Sequence, residues 1–547
     1  MRKRLFFILL ACSLGAKAQQ TAGKLTVEKI MRDPKWIGSS PSNPMWSADG
    51  KCLYFSWNPD KDPSDSLYFI SKNNKVPTKA STEQKKQFVP YESIVYNQAR
   101  TAYTYVKEGD IFFTDLKSGK TRCIIKSTDV ESNPQFSFSD KKVVYTRLLN
   151  LYAWDIKEGE TTQITRIQNE SSAGAKGSKE KANTETPQEK WLNQDQLQTF
   201  DILRERKNKR DATDNYNTLI KDKELRNINI DDKRIQNLSI SFDGRFICFR
   251  LTKNAAANKN TIVPNYVTES GFTTDIPGRT KVGEIPGSSE MFVYDRLRDS
   301  LVSLKTSDLP GIKDQPDYFK DYPKLAIDSS RKKEGRLVNF GNALWSPKGN
   351  YLMLDIRSQD NKDRWLMAWD SSSCKMELAD RQRDEAWVGG AGNGNKGWID
   401  DSTFWFQSET TGFAHLYTLN LKSGVKKALT NGSYEVQDVQ LSSDKRNFYL
   451  TTNQVHPGEK HFYRVPVTGG KSEKLTVMQG ANLALLSPDE KMISLLYSYS
   501  TKPTELYLQE NETGKTGVQI TDKAQSAEFK SYEWQDPQVI TFKARDG

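Results

Sequence analysis

Residues 150–165 read N-L-Y-A-W-D-I-K-E-G-E-T-T-Q-I-T. The apolar-rich run at 151–156 suits a sheet strand, residues 157–160 supply a glycine-containing hairpin turn, and 161–165 begin a return strand. The chain repeats this hairpin. It recurs at 110–123 (D-I-F-F-T-D-L-K-S-G-K-T-R-C), 290–304 and 415–430 (H-L-Y-T-L-N-L-K-S-G-V-K-K-A-L-T), and again at 461–476 and 505–521.

A second motif precedes most copies: an apolar residue, Ser, any residue, Asp or Lys, and Gly, followed by a strand. It stands at 46–55 (W-S-A-D-G-K-C-L-Y-F), 240–250 and 345–354 (W-S-P-K-G-N-Y-L-M-L), with looser forms at 136–145, 441–450 and 486–495. Two hairpins in a repeat of roughly 40–45 residues are the mark of a propeller blade, because a single four-stranded sheet cannot bury both faces until neighbours flank it. Eight units begin near 43, 88, 132, 236, 339, 395, 434 and 480. The expected fold is all-β, an about eight-bladed β-propeller with inserted loops and one inserted helix.

The N-terminus carries Arg2, Lys3 and Arg4, an apolar run at 5–14, and Ala16-Lys17-Ala18. These are the three parts of a secretory signal peptide, with cleavage expected after Ala18 and an exported, periplasmic or secreted product. The alternative is a lipoprotein box at 9–12 with Cys12 lipidated. Loss of Arg2, Lys3, Arg4 and Lys17 would lower the formal charge from +11 to +7. The basic runs at 204–210 and 331–336 each contain a Glu and accompany no stacking-aromatic motif, so they read as solvated faces rather than a nucleic-acid site. No later segment approaches the ~18 apolar residues of a membrane span.

Four cysteines, Cys52, Cys123, Cys248 and Cys374, follow the expected cleavage point. Three of them fall on strands of different blades, which favours buried free thiols over a disulfide framework. Residues 24–37 read as a short helix ending before Pro34. The aspartates at 58–66 lack the Gly and terminal Glu of a calcium loop and suit a hairpin tip.

The repeat is interrupted three times. Residues 169–183 offer almost nothing to bury and suggest disorder. Thr186-Pro187-Gln188-Glu189 is a capping box, predicting a helix from 187 to about 207. Residues 254–287 and 310–334 read as loop excursions, the latter with Tyr318, Phe319 and Tyr322. The resulting division is a signal peptide at 1–18, an N-terminal segment at 19–42, and a propeller at 43–530 with an insertion at 167–235.

The segment S-E-T-T-G-F-A-H-L-Y at 408–417, followed by Leu429-Thr430-Asn431-Gly432 and Tyr434-Glu435-Val436, resembles the propeller region of the dipeptidyl peptidase IV family. That family lies within the prolyl oligopeptidase group of serine peptidases. The ending F-K-A-R-D-G at 542–547 is similar to the family's junction with an α/β-hydrolase domain, so 531–547 is expected to begin that linker. The resemblance implies a peptide substrate, no cofactor, and a hydrolase domain carrying the chemistry in the intact relative. It leaves room for a homo-oligomer.

The chemistry itself needs a Ser on a strained turn, written G-x-S-x-G, with a His to take its proton. No such motif occurs, and the histidines, His415, His456 and His461, lie on propeller strands or hairpin loops. No catalytic residue is therefore assigned, and none of the histidines has zinc-motif spacing. Family members that remove dipeptides grip the substrate ammonium with two consecutive glutamates after Asp-Trp. By resemblance the match is K-W-L-N-Q-D at 190–195, which puts Gln194 and Asp195 at the glutamate positions as substrate-binding residues. The alternative function is a stand-alone periplasmic propeller that binds a protein or peptide, like the propeller of the Tol system.

Overall fold

The Ser-x-Asp-Gly motif folds as a self-contained turn wherever it is complete. Ser47 Oγ donates to Asp49 at 2.7 Å and accepts from the Cys52 amide at 3.0 Å. The sets Ser241/Asp243/Phe246, Ser442/Asp444/Asn447 and Ser487/Asp489/Met492 repeat both bonds. The fourth position is left-handed, with φ of 66° at Gly50 and 79° at Gly244. Lys445 and Glu490 adopt the same backbone at 59° and 54°, which is why those copies look loose in sequence yet fold alike.

These turns connect the first two strands of blades in a computed structural model that describes residues 24–32, 34–169, 187–188, 191–192, 200–220, 224–255, 260–280, 287–322 and 335–545. The strands form the eight blades of a β-propeller, as the repeat predicts. Blade 3 shows the pattern: Glu131–Ser137, Lys142–Arg147, Asn150–Asp155 and Thr161–Gln163 pair in antiparallel succession. Its closing hairpin, made by the third and fourth strands, is the one read at 150–165.

The chain divides into two units. One comprises Met1–Tyr96, Leu309–Arg336 and Gly349–Gly547, and the other Asn97–Asp308 and Leu337–Lys348. In the first, Trp46, Leu53, Phe55 and Trp57 of blade 1 bury themselves with Leu506 and Leu508 of blade 8. The first blade thus packs on the last. Within the same unit Trp405 and Leu416 of blade 6 join Phe448 and Leu450 of blade 7. In the second unit Val144 and Leu151 of blade 3 meet Ile247 and Phe249 of blade 4. Alternating strand residues from neighbouring sheets supply each core, so burial follows the period-two pattern of the sequence.

A second repeated contact explains two of the histidines. In blade 3 the Leu151 amide donates to Thr165 Oγ1 at 2.9 Å, tying the third strand to the end of the fourth. Leu416 with Thr430, Phe462 with Thr476 and Leu506 with Thr521 do the same. The residue before the donor also reaches that threonine, and it is Asn150, His415, His461 or, for Thr521, Glu505. His415 and His461 occupy a polar position of the repeat.

Three expectations are revised. Residues 187–188 and 191–192 are helical, and the continuous helix is Phe200–Ile220, past the expected end at 207. Between Leu203 and Tyr216 the sequence is almost wholly polar, but that run contains no Gly or Pro to end a helix. The strands Arg166–Gln168 and Asn227–Asn229 pair in parallel and bracket the insertion. Second, the expected loop at 254–287 contains a β-hairpin, Asn260–Asn265 with Thr274–Thr280. Third, the thiols are free but not all buried: Cys248 is buried, Cys123 is exposed, and Cys52 and Cys374 are intermediate.

The N-terminal helix is Val27–Met31, capped by Thr26. Trp36 then packs against Phe529 and Tyr532, holding this segment to the short helix Ala527–Lys530. The 58–66 stretch is a hairpin tip in which Asn58 Oδ1 accepts from the Asp62 amide at 2.8 Å.

Burial pushes the Cys248 thiol up to about 12, so it offers almost no thiolate at neutral pH. Native protein treated with a maleimide at pH 7.5 should label Cys123 first and leave Cys248 untouched until denaturant is added. Rapid native labelling of Cys248 would contradict its placement.

Candidate functional site on blades 5 and 6

Blade 5 runs through Tyr351–Ser358, Asp363–Asp370 and Lys375–Arg383, and blade 6 through Lys396–Trp398, Thr403–Ser408, His415–Asn420 and Lys426–Ala428. Blade 5 concentrates charge on buried strand faces, with Asp355, Asp363, Arg364 and Asp380 all buried. The cause is two ion networks of different composition.

The first centres on Asp363, whose side chain is fully buried. Arg336, Arg381 and Arg383 converge on it at 2.5, 2.8 and 2.7 Å. Each arginine also meets a second acid: Asp360 at 3.3 Å, Asp314 at 2.6 Å and Glu385 at 2.7 Å respectively. Four carboxylates thus face three guanidiniums. Because Asp314 and Arg336 belong to the segment Leu309–Arg336, the network fastens that segment to blade 5. Trp365 adds a bond from Nε1 to the Pro310 carbonyl at 2.8 Å.

The second network centres on Asp355. Arg364, with 0% of its side chain exposed, donates from Nε and Nη2 at 3.1 and 3.0 Å, and its Nη1 reaches the Gln407 carbonyl of blade 6 at 3.0 Å. Lys396 donates at 2.6 Å, and Arg357 stands 3.6 Å away. Burial alone would raise the Asp355 carboxyl, but the adjacent Arg364 and Lys396 outweigh it and hold the group at about 2. Burial lowers Lys396, and the repulsion of Arg364 and Arg357 adds to it.

Beside this network runs the loop 389–395, G-G-A-G-N-G-N. Gly392 has φ of 65°, and a Cβ there would stand 2.1 Å from Gln407 Oε1, so only glycine lets the loop approach blade 6 so closely. Arg357 Nη2 donates to Asn393 Oδ1 at 2.7 Å, and Asn395 Nδ2 to Gln407 Oε1 at 2.7 Å.

The motif at 408–417 follows directly. Ser408 Oγ lies 2.9 Å from Thr410 Oγ1, and the Ala414 amide donates to Glu435 Oε2 at 2.6 Å. Burial raises the Glu409 carboxyl, and the neighbouring charges of Glu435 and Asp384 push it further up. His415 is buried, with Nδ1 3.0 Å from Thr430 Oγ1 and Nε2 2.9 Å from the Gly432 carbonyl. His461 Nε2 lies 2.8 Å from Glu459. Both ring nitrogens of each histidine are thereby engaged within a blade. Among the described residues no three His, Cys, Asp or Glu side chains converge as metal ligands would.

Gln194 and Asp195 lie outside the described residues. The charged networks escaped the sequence reading, although Asp355, Arg357, Asp363 and Arg364 interrupt otherwise apolar strands. Charges at core-facing positions of a strand are the signal that marks them.

Two solved structures are similar over most of the chain. Dipeptidyl peptidase 4 from Porphyromonas gingivalis matches with 13% identity, a TM-score of 0.49, and coverage of 90% of this chain and 61% of that one. A putative dipeptidyl aminopeptidase IV from Bacteroides ovatus matches with 12% identity, a TM-score of 0.47, and coverage of 89% and 60%. The chain therefore spans about three fifths of the length of these proteins. Residues 320–504, which contain the second network, the glycine-rich loop and the 408–417 motif, match the model of the dipeptidyl peptidase IV N-terminal region.

Proposed function

We propose that this chain is the propeller part of an exported serine peptidase of the dipeptidyl peptidase IV type, with peptide-bond hydrolysis residing in a C-terminal α/β-hydrolase domain outside residues 1–547. The observation that carries this reading is the match of residues 320–504 to that family's N-terminal region. In such an enzyme the propeller restricts access to the catalytic Ser and orients peptide ends, while the hydrolase domain cuts the bond. The residues in hand agree with that division, since the buried histidines of blades 6 and 7 hold strands together. Gln194 and Asp195 are the residues proposed to meet the substrate ammonium, whose three donors need acceptors in a partly desolvated pocket.

The signal-like start supports export. No helix among the described residues is long and apolar enough to cross a membrane.

The purified 547-residue chain is expected to fold and to leave peptide substrates uncut. Hydrolysis that disappears on treatment with a serine-directed inhibitor would show that the chain has its own nucleophile and would overturn the division of labour.

A further inference from the structure

The two ion networks of blade 5 differ in one respect that matters for binding. Around Asp363 every cation has a second carboxylate, whereas among the described residues Arg364, Lys396 and Arg357 share Asp355 alone. The second network carries an excess of two positive charges. Two of its cations are nearly or fully buried, since the side chains of Lys396 and Arg364 are 10% and 0% exposed. Such an excess is costly in a low-dielectric setting unless an anion offsets it.

The Arg357 side chain is 32% exposed, and it faces the glycine-rich loop through Asn393. Gly394, next in that loop, is exposed and has open space where a Cβ would stand. The loop therefore places the Asn393 amide, and open space at Gly394, beside the most exposed cation of the cluster. A planar anion that displaced Asn393 Oδ1 from Nη2 would meet a guanidinium fork, the geometry that recognises a carboxylate with two parallel bonds.

We infer that Arg357, backed by Lys396 and flanked by Asn393 and the loop at 389–395, is a binding site for the C-terminal carboxylate of a peptide. This rests on the proposed handling of peptides for its ligand class, but not on any catalytic step.

The test uses the 547-residue chain and three probes, measured by isothermal titration or by ligand-observed NMR: acetyl-tetra-alanine with a free C-terminus, the same peptide as its C-terminal amide, and inorganic phosphate. The free acid should bind at least tenfold tighter than the amide, and Arg357→Gln should remove that difference while leaving the melting temperature within a few degrees. Equal binding of acid and amide, or an unchanged preference in Arg357→Gln, would overturn the site. Phosphate binding tighter than the free acid would overturn the carboxylate assignment. Because none of these measurements involves hydrolysis, the site can fail while the peptidase reading stands, and the reverse.

Discussion

Asp355→Asn is expected to destabilise the first unit by about 3–5 kcal/mol, the usual cost of leaving buried charge without its partner. The substitution keeps shape and volume but strands Arg364, which is fully buried and spends two bonds on that carboxylate. Lys396→Met should behave in the opposite sense. It removes a buried charge that two arginines repel, so its cost should stay below about 1 kcal/mol. Urea unfolding followed by near-UV circular dichroism compares the two. Equal losses would mean that Asp355 and Lys396 form a simple balanced pair rather than a cluster with too few anions.

The same carboxylate gives a pH dependence of known sign. Its folded value of about 2 lies below the ordinary aspartate value of 3.8. A depressed carboxyl contributes stability that is complete above its unfolded value and is lost as pH falls through the folded one. Asp355 therefore contributes about 2 kcal/mol that disappears between about pH 4 and pH 2. In Asp355→Asn that part of the acid-unfolding profile should be missing.

Trp365→Ala should cost about 3–5 kcal/mol as well, for a different reason. The ring is fully buried, its Nε1 holds the Pro310 carbonyl at 2.8 Å, and Arg336 lies over its face at 5.7 Å from the centroid. Truncation leaves a cavity and also frees the segment Leu309–Arg336 from blade 5. Trp365→Phe keeps most of the apolar volume and loses the bond, so about 1–2 kcal/mol is expected. Limited proteolysis separates the effects: cleavage within 309–322 should rise sharply in the Ala variant and little in the Phe variant. Unchanged protection in Trp365→Ala would show that the arginine network alone fastens the segment.

The fold was legible because a propeller writes each blade with the same local chemistry. Ser47, Asp49 and Gly50 form one turn through bonds within a few residues, so their spacing survives in sequence wherever the turn survives in space. The hairpin at 150–165 is legible for the same reason. Lys445 and Glu490 blur the pattern only because a left-handed backbone tolerates a non-glycine residue at modest cost.

The charged site was less legible, because its partners are distant in sequence. Asp355 meets Lys396 across a blade boundary, and Asp363 meets Arg336 through a segment outside the regular repeat. Periodicity assigns the strands but not which strands carry compensating charge. The helix at Phe200–Ile220 illustrates another limit: its described side chains are exposed, so apolar spacing had little to report about where it ends. The hairpin at 260–280 was obscured by its Asn, Thr, Gly and Pro content, which reads as loop although its backbone pairs regularly.

The most direct test of the central claim is the intact mass of the native protein isolated from its source cells. A peptidase of the proposed type would carry an additional α/β-hydrolase domain of roughly 200–250 residues, adding some tens of kilodaltons to the 62.3 kDa of this chain. A mass in that heavier range, with peptides mapping both to residues 24–545 and to a segment bearing a G-x-S-x-G serine, is the predicted result. A native mass at or just below 62.3 kDa would contradict it and make the chain a binding propeller whose partner remains to be found.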